Sequence, residues 1–149
     1  MKVLTGVLGI LLFAGATWAG NFTDNQNGTV TDNVTGLVWQ QQDDGTQPIW
    51  YHAIDYCEGL TLASLTDWRL PNVKELESIT DDSRNLPAID ITAFPNTKDY
   101  YWSSSSYPYA MSVAMGYDAA YAVDFTYGGY VGYSDTWSFH YVRCVRGGQ

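Results

Sequence analysis

The sequence predicts an α+β fold, and three observations carry that expectation. Apolar residues recur with helical spacing in two stretches of the first half, at 49–60 and from Asn72 onward. The second half then turns to short alternating runs punctuated by glycine, the pattern of strands. The only two cysteines, Cys57 and Cys144, fall one in the first helical stretch and one in the last strand-like run. Two helices packed on short antiparallel strands, the first helix stapled to the last strand, is the architecture that follows. The chain has 149 residues, 46% of them hydrophobic and 15% charged, which suits one globular domain and excludes a disordered chain.

Residues 1–19 have the layout of a secretory signal peptide: one cation at Lys2, an apolar run from Val3 to Phe13, and small residues Thr17 and Ala19 at the positions a signal peptidase reads. The run is too short for a comfortable membrane span, so no stable span is expected after cleavage. The remainder, 20–149, is expected to be the domain, exported to the periplasm or outside the cell. Cleavage would remove Lys2 alone among the charged residues, from a chain whose net charge is already −9. So acidic a protein repels nucleic acid and anionic lipid.

From Asn21 to Gln40 short strands alternate with turns. Asn27-Gly28 sits between Phe22 and Val30, a strong two-residue hairpin signal, and Asp32 to Gly36 is a second turn leading into Leu37-Val38-Trp39. A calcium loop is excluded: aligning Gly28 with the EF-hand glycine puts Thr23 at the first ligand position and Val34 where a bidentate glutamate belongs. Trp50, Ala53, Ile54, Cys57 and Leu60 then share a helical stripe, which turns Cys57 to the core. A second helix should start at Asn72 as N-cap, with Glu75 three residues on and Val73, Leu76 and Ile79 on one face, ending near Asp81-Asp82. Glu75 and Glu77, two apart on a helix, point to different faces and make no acid/base pair.

Beyond Tyr100 the composition shifts. All of the tyrosines except Tyr51 and Tyr56 lie between Tyr100 and Tyr141, among Ser, Gly and Ala, and the charges there are Asp118, Asp124 and Asp135 alone. Tyr121, Val123 and Phe125 alternate, Gly128-Gly129 turns, and Tyr130 to Tyr133 returns. The run Tyr141 to Arg146 sets Val142 and Cys144 on one face and Tyr141, Arg143 and Val145 on the other.

Two thiols in an exported chain are expected to pair, closing a long loop worth roughly 4 to 5 kcal/mol in the chain-entropy account. The alternative is two unrelated buried thiols. A zinc site is disfavoured, because His52 and His140 show no zinc-type spacing with the cysteines.

Taken in order, Phe22-Thr23-Asp24-Asn25, Gly28 to Asp32, Thr35 to Trp39, Ala53 with Tyr56-Cys57, Asp67 to Asn72 with Lys74-Glu75-Leu76, Phe94-Pro95, Tyr101 to Ser104, Val123-Asp124-Phe125 and Tyr141 to Arg146 resemble the Lcl C-terminal domain-like proteins of bacteria. That family is similar in turn to the C-type lectin-like fold, where a helix cysteine pairs with one on the last core strand. The resemblance implies an extracellular binding or adhesion module and no catalysis. The Glu-Pro-Asn, Gln-Pro-Asp and Trp-Asn-Asp signatures of calcium-dependent lectins are missing, so no metal and no cofactor is expected. The sulfated polysaccharides linked with the family's namesake adhesin require a basic surface that this chain lacks.

Trp39, Trp68 and Trp102 are expected in the core for their bulk, with Asp67 and Arg69 as structural partners rather than ligands for a substrate. The recognition surface is expected in Tyr107, Tyr109, Tyr117, Tyr127, Tyr130, Tyr133 and Trp137. Tyrosine among serine and glycine gives large contact area at low entropic cost, the composition of antibody paratopes. The expected partner is a cell-surface glycan or protein. The second reading is a self-assembling structural subunit whose partner is another copy of the chain. An enzyme is the least favoured, since no serine, histidine or free cysteine motif offers a nucleophile with a base.

Overall fold

The computed structural model describes residues 21–148; the expected signal peptide lies outside the described residues. Among the described residues seven strands and three helices follow the order β1 (Phe22–Asp24), β2 (Thr29–Asp32), β3 (Val38–Gln40), α1 (Trp50–Glu58), α2 (Val73–Ser78), β4 (Tyr100–Ser106), α3 (Tyr109–Met115), β5 (Ala119–Asp124), β6 (Tyr130–Asp135) and β7 (Val145–Arg146). The strands form two antiparallel sheets, one ordered β1-β2-β3-β7 and the other β4-β5-β6.

The β1–β2 hairpin forms, but not through a two-residue turn. Asp24 pairs with Val30, leaving five residues between them, of which Gln26 (φ 57°) and Gly28 (φ 84°) take left-handed backbone. Side chains stabilise this longer loop: Asp24 accepts from the Gln26 amide at 2.7 Å, and Asn27 accepts from the Thr29 hydroxyl at 2.7 Å. At the next turn the Asp32 carboxylate accepts from the Val34 amide and the Thr35 hydroxyl, and Gly36 at φ 75° turns the chain into β3.

Helix α2 has the expected capping box: Asn72 accepts from the Glu75 amide, and Glu75 accepts from the Asn72 amide. It ends at Ser78, short of the acidic turn. Glu75 is more than a cap, since its two carboxylate oxygens also hold the Arg69 guanidinium at 2.7 and 2.8 Å. Helix α1 buries Ala53 and Cys57, and its first amide, on Trp50, donates to the Thr136 carbonyl at 3.0 Å.

The β4-β5-β6 sheet is sandwiched between two apolar clusters, and strand alternation deals its residues to them in turn. Tyr101, Val123 and Val131 face a core built on Trp39, Phe94 and Leu76. Trp102, Ala120 and Ala122 face one built on Trp68, Val142 and the Cys57–Cys144 disulfide. That disulfide joins α1 to the residue preceding β7 across a Cα–Cα distance of 5.5 Å.

The structure departs from the two-helix expectation by a third helix, α3, in the stretch read as part of the aromatic strand region. Alanine and methionine between Pro108 and Gly116 favour helix, and Gly116 at φ 80° supplies the left-handed C-cap. The last run also differs. Only Val145 and Arg146 are strand, and Arg143, expected on the face opposite the core cysteine, is 1% exposed.

Candidate functional site

The buried Arg143 belongs to an internal polar network rather than to a binding surface. Its guanidinium donates to the carbonyls of Gln40 (2.8 Å) and Gln41 and to Thr97 Oγ1 (2.9 Å), approaches Asp43 Oδ2 at 3.4 Å, and lies over the rings of Phe94 and Tyr101. The Tyr101 hydroxyl donates to the same Asp43 oxygen at 2.5 Å. Burial raises the Tyr101 phenol above its ordinary range; Arg143 opposes the shift and the Asp43 carboxylate adds to it. This network escaped the sequence because Asp43-Asp44-Gly45 looks like any turn, and nothing in the spacing ties it to a residue a hundred positions later.

The Asp67-Trp68-Arg69 segment is likewise tied inward. Trp68 is buried with its indole N–H on the Leu65 carbonyl at 3.1 Å, Asp67 holds Arg146 at 2.7 and 2.9 Å, and Arg69 donates to Glu75 and to the Gly147 carbonyl. Burial pushes the Glu75 carboxyl up, but Arg69 and the Asn72 amide pull it further down, leaving it below its ordinary value. Trp39 and Trp102 are fully buried.

The exposed apolar side chains lie elsewhere. Among the described residues, every large exposed hydrophobic beyond Ile91 falls between Tyr109 and Phe139. Tyr109 is 79% exposed, Tyr127 64%, Tyr130 66% and Trp137 68%, with Tyr117 and Tyr133 also exposed and Tyr107 half-buried. Sequence reasoning missed Met111, Val113 and Phe139, which are exposed beside them; recognising α3 would have flagged the first two.

These residues do not share one face. The β5–β6 register is unbroken from Ala119↔Asp135 to Asp124↔Tyr130, so Tyr130 and Tyr133, three apart, project from opposite sides of the sheet. Tyr133 stacks on Tyr107 (ring centroids 4.3 Å apart), and Tyr107 meets Tyr121 edge-on at 5.2 Å. Tyr130 lies over Gly132 on the other side, the side of Trp102 and Ala122. There the His140 imidazole packs on Trp102 and Tyr100 and shares a hydrogen bond with Ser134 Oγ at 2.8 Å. Burial holds His140 below its ordinary pKa, against the pull of Asp99.

Strand β6 is also an edge. The Thr136 amide donates to the Asp118 carbonyl at 3.0 Å, which with the unbroken register turns the main-chain polar groups of Val131 and Tyr133 outward. Among the described residues no strand pairs with that side.

A cavity of about 200 Å³ is lined by residues of α1, α3, the ends of β4 and β5 and the segment that follows β6, among them Trp50, Tyr107, Tyr109, Ser112, Asp118 and Thr136. A larger cavity, about 520 Å³, runs along Ser78 to Arg84. Several of its polar groups are already engaged: Asp81 with Ser83 and Arg84, and Asp90 with the Thr92 amide. The aromatic cavity is therefore the better candidate for a ligand. Among the described residues no helix is long and apolar enough to cross a membrane, and no cluster of three metal-ligating side chains occurs.

A comparison with curated proteins finds no match. The profile of the Lcl C-terminal domain, in contrast, matches residues 28–146, which takes in every described strand except β1, all three helices and both cysteines. The chain belongs to the Lcl C-terminal domain family.

Proposed function

We propose that the protein is an exported, extracellular or periplasmic binding and adhesion module, C-type lectin-like in fold and without catalysis of its own, that recognises a cell-surface glycan or protein through its aromatic end. The observation that carries this reading is the concentration of exposed aromatics in the Tyr109–Phe139 stretch, which holds all of them among the described residues except Tyr51. Exposed apolar surface gathered in one part of a small domain marks an interaction site. Export is supported by the signal-like residues 1–19 and by the disulfide. The lectin-like reading rests on the tie between a helix and the last strand. The absence of catalysis is supported by the commitment of both thiols to that bond and of His140 to aromatic packing.

The open β6 edge favours a second reading, self-assembly into an oligomer or fibre, since outward main-chain groups pair with any strand of matching register. A binding screen of the exported protein on arrayed glycans and extracellular proteins separates the two when run beside size-exclusion chromatography and negative-stain microscopy. The recognition reading expects saturable binding by a monomer, weakened by Tyr130→Ala or Trp137→Ala. Filaments or a closed oligomer, with no binding on the arrays, would favour assembly instead.

A further inference from the structure

The aromatic cavity, about 200 Å³ in volume, combines several rings with a single charge. Trp50, Tyr51, Tyr107 and Tyr109 all line it, and Asp118 is the one charged residue among those that do. The fold holds three of these rings in place. The Trp50 indole N–H donates to the Ser103 carbonyl at 2.7 Å, and the Trp50 and Tyr51 rings meet at 69° with centroids 5.2 Å apart, a corner rather than a flat platform. Tyr107 is stacked on Tyr133 and meets Tyr121 edge-on. Asp118 is anchored through its carbonyl, which accepts from the Thr136 amide at 3.0 Å. Its carboxylate is exposed and enters no ion pair among the described residues.

We propose that this cavity binds a fully alkylated ammonium group, the quaternary nitrogen of choline-type compounds. The site goes beyond the recognition of a glycan or protein proposed above and does not depend on it. A quaternary cation is attracted to the electron-rich faces of aromatic rings, and several rings around one charge are the established means of holding it. The Asp118 carboxylate adds a full opposite charge, and none of the residues lining the cavity is cationic. An anion is disfavoured for the same reasons. A primary ammonium is disfavoured too, because it brings three strongly hydrated N–H donors to a wall made largely of rings, whereas an alkylated nitrogen has none. Volume sets a further limit: the cavity falls below the roughly 300–1,000 Å³ of sites for drug-sized molecules, so it admits a compact head and leaves any longer body outside. Helices α1 and α3 begin beside the cavity, and their positive ends oppose a cation. That opposition is small, since α1 gives its first amide to the Thr136 carbonyl and α3 spans only Tyr109–Met115.

The test is a titration of the protein at constant ionic strength, followed by amide chemical shifts, with choline chloride and tetramethylammonium chloride. Methylammonium chloride and 3,3-dimethylbutan-1-ol, the uncharged analogue of choline in which carbon replaces nitrogen, serve as controls for alkylation and for charge. Saturable shifts centred on Trp50, Tyr109 and Asp118 are expected, with choline at least tenfold tighter than either control. Asp118→Asn should raise the Kd for choline at least fivefold and leave that for the uncharged analogue unchanged. Tyr109→Ala should raise the Kd for choline at least tenfold. Both positions are exposed, so the melting temperature should hold in each variant. Vesicles of phosphatidylcholine, set against vesicles of phosphatidylethanolamine, then distinguish a lipid headgroup from a free ligand as the source of the same group. No saturable shift with either quaternary cation, shifts centred away from the cavity, equal affinity for the uncharged analogue, or unchanged affinity in either variant would each overturn the proposal. Absence of choline binding beside intact array binding would discard the cavity site alone and leave the recognition reading standing. Choline binding by a protein that binds nothing on the arrays would support the cavity site without that reading.

Discussion

Replacing Cys57 and Cys144 by alanine removes a crosslink between residues 87 apart in sequence. In the chain-entropy account, a loop of that length restricts the unfolded chain by about 4.6 kcal/mol at 25 °C. Residual structure in the unfolded chain reduces the figure, while loss of two fully buried sulfurs from the cluster around Trp68 and Val142 adds to the cost. A net loss of about 3–5 kcal/mol is expected, a large share of the stability of a domain this size. With a urea dependence of about 1–3 kcal/mol per molar, the midpoint should fall by about 2 M. Trp39, Trp68 and Trp102, none more than 2% exposed, report unfolding by the red shift of their fluorescence. Because both sulfurs are fully buried, a thiol reductant should act on the native protein only slowly and rapidly once urea is present. A double variant within about 1 kcal/mol of the wild type would refute the reasoning, since α1 and β7 would then be held together without the tie.

Three further outcomes follow from single contacts. The Glu75 carboxyl has a depressed pKa in the fold, so its contribution is complete above its ordinary value of 4.5 and is lost as the pH falls through the lower folded value. Glu75→Gln should therefore melt below the wild type at neutral pH, and the gap should close in acid, as followed by melting temperature from pH 7 to pH 2. An alanine Cβ at Gly129 would stand 2.5 Å from Thr80 with φ at +67°, whereas at Gly128 it meets nothing within 4 Å at φ +64°. Gly128→Ala should cost about 1–2 kcal/mol for the left-handed backbone alone and Gly129→Ala clearly more, both read by urea denaturation. Arg143→Ala leaves the buried Asp43 carboxylate without its cation and should cost about 3–5 kcal/mol in the same assay; a loss under 1 kcal/mol would contradict the account of that network.

Local chemistry was legible in the sequence wherever it acts over a few residues. The Asn72–Glu75 capping box, the core-facing stripe of α1 and the Gly128-Gly129 reversal each follow from spacing and side-chain type. What escaped depends on distant parts of the chain. The division into two sheets is set by which strand β7 joins, and that choice is made by packing around Trp39 rather than by any pattern in Val145-Arg146. Arg143 looked like an outward strand residue until Asp43, Asn96 and Thr97 were brought around it. Helix α3 was hidden by tyrosine content, which weighed toward strand although Ala and Met favour helix. For the candidate site, the residue types were visible in the sequence but their grouping was not. Tyr107 and Tyr133 meet in a stack, while Tyr130 leaves from the opposite side of the same strand.

The central claim, that the aromatic end carries recognition, is tested most directly by the affinity of the protein for a partner found on the arrays, compared with that of a Tyr130→Ala, Tyr133→Ala double variant at low and at moderate salt. So acidic a chain with so few cations gains little from long-range attraction, and its affinity should come from aromatic burial. The account predicts a Kd nearly independent of salt for the wild type and raised about 30-fold in the double variant, the equivalent of a loss of about 2 kcal/mol, with folding intact. Wild-type affinity in the double variant, or a steep loss of wild-type binding as salt is raised, would contradict it.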